Sequence, residues 1–347
     1  MKFIKGPGDF FALDIGTNAV RVVQLSYSIG GWSLVHHAYV PVDSKIAASD
    51  SSEANRRLGE VIMTAVGQSG TKTRDVAVGL PSSKTFPTVV DVPNTTDAEL
   101  RATMKYQVDQ YIPMSADEAK VDWALLGPSL REQDSQEVLL TSTAKTYSEG
   151  RLEFIESLGF NVIAMEPDPI AMIRALVPPG NQAAQLILDM GESSTDIAIV
   201  YGDSPRLIRT IPTGVGTFVK AAVQNLNVQE DQARQFILKF GLATDRLDGQ
   251  VFRALESSLD SYAAELVKSI KFFQTRYENI PVSGMLLSGF AALVPHLSDY
   301  LVSKTSVQAQ IADPWQGIEM GEAARTQLAP VATEFATAVG LAKRLTK

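Results

Sequence analysis

The chain contains no cysteine. Disulfide frameworks, thiolate metal sites and cysteine nucleophiles are thereby excluded, and the absence is consistent with a reducing cytoplasm. Histidine is scarce too: His36, His37 and His296 are the only three, their spacing fits no metal-ligand pattern, and they read as structural or exposed. No window of about 18 apolar residues exists, so no helix is expected to span a membrane. No basic run exceeds two residues and the formal charge is −8, so nucleic-acid binding through phosphate contacts is not expected. The opening stretch MKFIKGPGDFFALDIG has too short an apolar run for a secretory signal, and Asp9 interrupts it. The closing stretch GLAKRLTK reads as a solvated helix end. G-x-x-x-x-G-K-[ST] is missing, which excludes a P-loop.

The rest is ordinary for a soluble globular protein: 45% apolar and 20% charged residues. A length of 347 residues exceeds one small core and predicts two domains or one bilobed protein. Strand and helix patterns alternate along the chain, which argues for α/β layers. Two strands flank a tight turn within 10–25, a third covers 32–40, and helical composition covers 53–69. Between 85 and 144 the order is strand, helix, strand, strand. The helix there opens on the capping box Thr96-x-x-Glu99 and carries Leu100, Met104, Val108 and Tyr111 as its apolar stripe. PPGN at 178–181 is the strongest breaker and the expected lobe boundary. A long helix over 253–277 buries one face, and a final helix is expected over 331–345.

One turn occurs twice. ALDIGT begins at Ala12, and LILDMGESSTDIAIV begins at Leu186. Each runs an apolar strand into Asp-x-Gly and then into small hydroxyl residues. Such a turn exposes successive backbone N–H groups in a concave nest suited to phosphate. Gly16 and Gly191 allow close backbone approach. Thr17, Ser193, Ser194 and Thr195 offer hydroxyls, and Asn18, Arg21 and Glu192 complete the two candidate contact sets. Asp14 and Asp189 end their strands facing the same phosphate tail, where two carboxylates suit Mg²⁺ held through water. A lone Asp-x-Gly after a strand is ordinarily just a turn. Two copies, joined by a strand–Ser–Gly–helix turn that contains Gly289 and Phe290, favour two related halves clamping a triphosphate.

These three segments resemble the phosphate-1, phosphate-2 and adenosine motifs of the superfamily of actin, heat-shock chaperones and sugar kinases. The stretch LPSSKTFPTVVDVPNTTDAELRATMKYQVDQYIPMSADEAKVDWALLG narrows the likeness. Its early LP, its ELR helix, its QYIP helix exit and its DWALLG strand resemble the insertion of the PilM family of type IV pilus assembly proteins. VLLTSTAK, the Leu-Gly-Phe turn at 158–160 and DPIAMIRAL are similar as well, and the resemblance covers nearly the whole chain. It implies an α/β, actin-like (ribonuclease H-like) bilobed fold with two related α/β halves and a strand–helix–strand–strand 1C insertion. The implied division is 1–80 for subdomain 1A, 81–145 for 1C, 146–180 for the return to 1A, 181–217 for 2A, 218–281 for 2B, 282–330 for the return to 2A, and 331–347 for a C-terminal helix on 1A. It further implies a cytoplasmic scaffold that binds ATP with Mg²⁺ and joins the membrane platform of the pilus machine through the N-terminal tail of PilN. Pilus motor ATPases and self-association are further implied contacts, and no direct membrane insertion is.

The likeness breaks on the adenine side. Gly289-Phe290 replaces the family's Gly-Gly pair, Arg234 replaces its acidic ribose contact, and Ile237 stands at its lysine position unless Lys239 substitutes. A second Gly pair reads Gly214-Val215-Gly216. Each lost charged hydrogen bond costs roughly 1.5–3 kcal/mol, so two predict binding weakened about 100-fold or otherwise modified. Arg234 stacks on a base or pairs with phosphate on this reading, and Gly214–Thr217 either touch phosphate or turn the chain. Glu166 and Asp168 are the candidates for orienting a catalytic water, with helix capping as their other reading, and at most slow ATP turnover is expected. Phe86, Val89, Met104, Tyr111 and Ile112 are candidate walls of a PilN groove beside 1C, with the insertion's own core as the other reading of each. Trp123 and Trp315 read as packing residues. A sugar-kinase-like phosphotransferase would need a general base beside the cleft, and none stands out. An FtsA-like division actin would carry an amphipathic membrane helix behind a linker, whereas this sequence stops just past a core helix.

Overall fold

The computed structural model describes residues 9–49, 51–178 and 180–344. The first eight residues, Pro179 within the PPGN breaker and the last three residues of GLAKRLTK lie outside that set. In chain order the elements of the first half are β1 (Phe11–Ile15), β2 (Ala19–Ser28), β3 (Gly31–Pro41), α1 (Ser44–Ala47), α2 (Ser52–Ser69) and β4 (Asp75–Leu80). An insertion follows with β5 (Thr85–Pro93), α3 (Asp97–Gln107), β6 (Ala119–Pro128) and β7 (Ser135–Ala144). The first half then resumes with α4 (Lys145–Ser157), β8 (Asn161–Pro167) and α5 (Asp168–Leu176). The second half holds β9 (Ala184–Met190), β10 (Thr195–Tyr201), β11 (Ser204–Ile211), α6 (Val215–Leu226), α7 (Glu230–Phe240) and α8 (Gln250–Arg276). It continues through β12 (Val282–Gly289), α9 (Leu297–Thr305) and β13 (Ala309–Ile311). The chain ends with β14 (Ile318–Glu319), α10 (Glu322–Leu328) and α11 (Ala336–Ala342).

The two large sheets share one wiring. The first runs β14-β3-β2-β1-β4-β8 and the second β11-β10-β9-β12-β13. In each, an antiparallel meander is extended from its first strand by two parallel strands. That repetition is the physical content of the two related halves expected from the twin turns.

Strand alternation sorts the side chains into layers. Leu186, Leu188, Ile197 and Ile199 pack outward beneath α6 and α8, on Phe218, Leu259, Tyr262 and Phe273. Ile187 and Ala198 point inward, where they share a core with Ala12, Val23, Met172, Val339 and Leu341. Phe11, Leu13, Val76 and Val78 face the other way and meet Leu58 and Ile62 of α2. Helices α5 and α11 are therefore pressed between the two sheets. Their contact is so close that a Cβ on Gly340 would lie 1.7 Å from the Ala171 carbonyl oxygen.

The ends of the elements follow local chemistry. Ser51 caps α2 through the Ala54 N–H, and Gly70 ends it at φ 76°. Thr96 and Glu99 form the expected reciprocal capping box. The final helix departs from expectation. Residues 329–335, with Pro330 near their start, form a tighter 3-10 run, and α11 begins only at Ala336.

The insertion has its own small core of Val90, Val92, Leu100, Met104, Val108, Ile112, Val138 and Leu140. It is also fastened to the second half. Glu137 is fully buried, paired with Arg206 of β11 and hydrogen-bonded by the Tyr277 hydroxyl at 2.6 Å. The Arg276 guanidinium of α8 donates to the Val89 carbonyl at 2.6 Å and lies 3.9 Å from the Asp91 carboxylate.

Candidate functional site

The two Asp-x-Gly turns face each other across a cavity of about 490 Å³ between the halves. Each closes by the same bond: the Gly16 N–H donates to Ala19 O at 3.0 Å, and the Gly191 N–H to Ser194 O at 2.8 Å. Thr17, Asn18, Glu192, Ser193 and Ser194 are left with N–H groups that have no backbone partner among the described residues. Of the expected contact residues, Asp14, Gly16, Thr17, Asn18, Arg21, Asp189, Gly191, Ser193, Ser194, Gly289 and Phe290 line this cavity, as does Asp168. Gly289 is held at φ 60°, ψ −142°, where a Cβ would sit 2.4 Å from Met190 O and 2.7 Å from an Asp189 carboxylate oxygen. Only glycine brings β12 this close to the end of β9.

The cross-strand partners differ between the halves. Asp14 stands opposite Arg21, and Asp189 stands opposite Asp196. In the first half the pair is an ion pair at 3.2 Å, and Arg21 also bonds Glu334 at 2.6 Å. Asn18 joins this network, donating to Glu334 at 2.8 Å and accepting from Arg21 at 3.0 Å. In the second half two carboxyls meet. Burial and the neighbouring Asp196 push Asp189 up to about 7, against a hydrogen bond from Ser288. Burial raises Asp196 also, against hydrogen bonds from Ser82 at 2.6 Å and Thr210 at 2.8 Å. The Ser82 bond spans the cleft. Burial, then Asp14, Asp196 and Asp189, lift Asp168 well above the usual carboxylate range, and its Oδ1 is buried with no hydrogen-bond partner. Burial raises Asp14 in spite of Arg21. The cavity thus combines N–H nests and hydroxyls with five carboxyls, Asp14, Asp168, Asp189, Asp196 and Glu334, around the single guanidinium of Arg21. A bare polyphosphate does not suit that donor set, whereas a polyphosphate carrying a divalent cation does.

Several expected contacts lie elsewhere. Thr195 is fully buried and donates to Thr213 O at 2.7 Å, so its hydroxyl ties β10 to the next loop. Gly214 and Gly216 turn the chain: the Val215 and Gly216 N–H groups donate to Gly191 O and Glu192 O at 3.1 and 2.9 Å. Arg234 pairs with Glu192 at 2.6 and 3.0 Å rather than reaching into the cavity. Ile237 is core, and Lys239 lines a separate surface hollow with Pro295 and His296. Glu166 faces away from the cleft, held by Arg174 at 2.8 Å and near Arg344 at 3.4 Å. Asp168, only two residues on, belongs to the first helical turn after Pro167, and the change from strand to helix redirects it into the cleft. Neither residue caps α5.

Most of the candidate partner residues take the other reading given for them, the insertion's own core. Met104 and Ile112 fill the insertion's core and Tyr111 packs against it, because the helical stripe is spent on the insertion's own sheet. Val89 is buried toward the central layer, and Phe86 is partly exposed. A separate groove lies on another face. It measures about 530 Å³ and runs between β6–β7 of the insertion and the β8–α5 junction. Lys120 to Ala124, Leu139, Met165 and Ile170 line it, with Glu166 and Arg344 at its charged end. Trp123 packs against the insertion's core from the edge strand and borders this groove, and Trp315 is core with its Nε1 on Ala332 O. β6 is an edge strand of the order β5-β7-β6.

Asp196 and Glu334 were absent from the sequence reading. Asp196 was within reach of it, since it follows Asp189 by the same interval that separates Arg21 from Asp14. Glu334 had no local signal.

The family described as type IV pilus assembly protein PilM matches residues 12–346. Among solved structures, the PilM–PilN type IV pilus biogenesis complex is similar with a TM-score of 0.82 at 21% identity, over 98% of this chain and 99% of that one. EutJ, the ethanolamine utilization protein of Carboxydothermus hydrogenoformans, gives 0.56 at 14% identity over 97% and 90%. MreB 5 of Spiroplasma citri bound to AMPPNP gives 0.51 at 13% over 95% and 94%. The fold is therefore actin-like, with the insertion as a third, smaller layer beside its two halves.

Proposed function

This chain belongs to the PilM family of type IV pilus assembly proteins, and from that premise we propose that it is a scaffold with two sites: a nucleotide cleft between its halves and a groove for the N-terminal tail of PilN. The observation that carries the second site is the groove beside β6. An edge strand offers unpaired N–H and C=O groups to an extended peptide. Here that edge borders a half-apolar trough lined by Leu139, Met165 and Ile170, with Trp123 on the edge strand and a charged end. The solved relative named as a PilM–PilN complex supports the choice of partner. Among the described residues no helix is long and apolar enough to cross a membrane, so attachment to the inner membrane runs through PilN on this proposal.

In the cleft, Asp14 and Asp189 are the residues that would hold Mg²⁺, which supplies the positive charge that lets phosphate sit among carboxylates. The N–H groups of Thr17, Ser193 and Ser194 and their hydroxyls would hold phosphate oxygens. Asp168, with its unpartnered Oδ1, is the carboxyl best placed to hold a water, and burial keeps it protonated to higher pH than usual. The structures of MreB 5 of Spiroplasma citri bound to AMPPNP and to ADP support this reading of the cavity.

The experiment is a calorimetric titration of the full chain with a synthetic PilN N-terminal tail, repeated with Trp123→Ala. The expected result is saturable binding weakened about tenfold in the variant, the loss of one large aromatic side chain on the edge strand. No binding to the intact chain would overturn the groove.

A further inference from the structure

The α6–α7 side of the cleft, where the resemblance places the ribose contact, is closed by contacts internal to the protein. Glu192 folds over the first turn of α6, so that its Oε1 lies 2.8 Å from where a Gly216 Cβ would be. Arg234 of α7 then covers Glu192 with two bonds, at 2.6 and 3.0 Å. The N–H groups at the start of α6 are spent on the phosphate-2 turn, through Val215 to Gly191 O and Gly216 to Glu192 O. Among the described residues, none from α6, α7 or α8 lines the cavity. Asn18 is the one carboxamide on its wall, and both ends of that amide are already bonded, to Glu334 and Arg21. A base is recognised by donors and acceptors left for its edge, and this wall leaves it none from a side-chain amide. Phosphate, by contrast, meets two N–H nests.

We propose that the cleft recognises a magnesium-bound polyphosphate chain without reading the nucleobase, the Arg234–Glu192 pair being the latch that removes the base-reading surface. This rests on the nucleotide-cleft reading above. The ligand class is then any nucleoside triphosphate, or inorganic tripolyphosphate, carried on one divalent cation.

The test titrates the wild-type full chain with Mg²⁺-ATP, Mg²⁺-GTP and Mg²⁺-tripolyphosphate, and repeats the ATP titration in saturating tripolyphosphate. The expected result is three affinities within about threefold of one another, a difference under 1 kcal/mol, and loss of the ATP signal under competition. ATP binding more than about tenfold tighter than GTP and tripolyphosphate would overturn base-blind recognition and leave the nucleotide cleft standing. ATP binding that tripolyphosphate does not displace would also overturn it. No binding of any of the three would overturn the nucleotide cleft itself. Arg234→Ala supplies a second readout: opening the latch is expected to move the ratio of ATP to tripolyphosphate affinity toward ATP, and an unchanged ratio would overturn the latch.

Discussion

Replacing Glu137 by alanine should unfasten the insertion from the second half. Glu137 has no solvent exposure, and Arg206 and the Tyr277 hydroxyl both close on its carboxylate. Arg206 is itself buried, and its Nε already lacks a partner. Without Glu137 its guanidinium becomes a buried, uncompensated charge. Removing one member of a buried pair costs about 3–5 kcal/mol. The stranded Tyr277 hydroxyl costs roughly 1–3 kcal/mol more, not additively, since both losses share one carboxylate. A total near 4 kcal/mol follows, enough to threaten a fold whose net stability is about 5–15 kcal/mol. Glu137→Gln keeps an acceptor for Tyr277 and should lose about half as much. The double variant Glu137→Leu, Arg206→Leu leaves no charge behind and should cost less than Glu137→Ala alone. Urea unfolding of the full chain, followed by tryptophan fluorescence and by proteolysis within 81–145, reads all three. A Glu137→Ala midpoint indistinguishable from wild type, or a double variant less stable than the single, would refute the reasoning.

Gly340→Ala should be among the most damaging small substitutions, at about 3 kcal/mol or more, because α11 must move off the Ala171 carbonyl; thermal unfolding reports it, with Gly67→Ala, whose Cβ meets nothing, as the benign control. Gly289→Ala should cost roughly 2 kcal/mol from its backbone conformation alone and should also disturb Asp189, so the loss of cleft binding should exceed the loss of stability. The Asp189 carboxyl, raised from its ordinary value of 3.8 to about 7, binds more protons folded than unfolded. Its contribution to stability is therefore complete below about pH 4 and lost as pH rises through about 7. Divalent-cation binding needs the ionised form, so Mg²⁺-nucleotide affinity should rise between pH 6 and 8 with proton release, and Asp189→Asn should abolish both trends in calorimetry run in two buffers.

The twin hairpins were readable because Asp-x-Gly after an apolar strand has one physical use at each occurrence: a glycine turn that frees N–H groups. Their shared wiring then placed Gly289 and Phe290 on the same cavity. β11 was hidden by Arg206 and Arg209, which break its alternation because one reaches the buried Glu137 and the other Glu265 of α8. Glu334 arrives from a distant turn of the chain, and nothing beside it in sequence signals Arg21. The candidate groove walls were ambiguous for a different reason. Met104 and Tyr111 belong to a stripe that reads equally as surface or core, and only the position of the insertion's own sheet decides between them. The groove proposed for the PilN tail is made by faces of β6, β7, β8 and α5 that no local pattern connects. Arg234 was legible as a departure, but its partner Glu192 was not, because the pair forms between a turn and a helix that meet only in the folded chain.

The most direct test is amide hydrogen exchange of the full chain with and without the PilN N-terminal tail. Protection is expected along the β6 edge at 119–128 and at 165–170, with the second half unchanged. Protection confined to the second half, or none at saturating tail, would contradict the assignment of the groove.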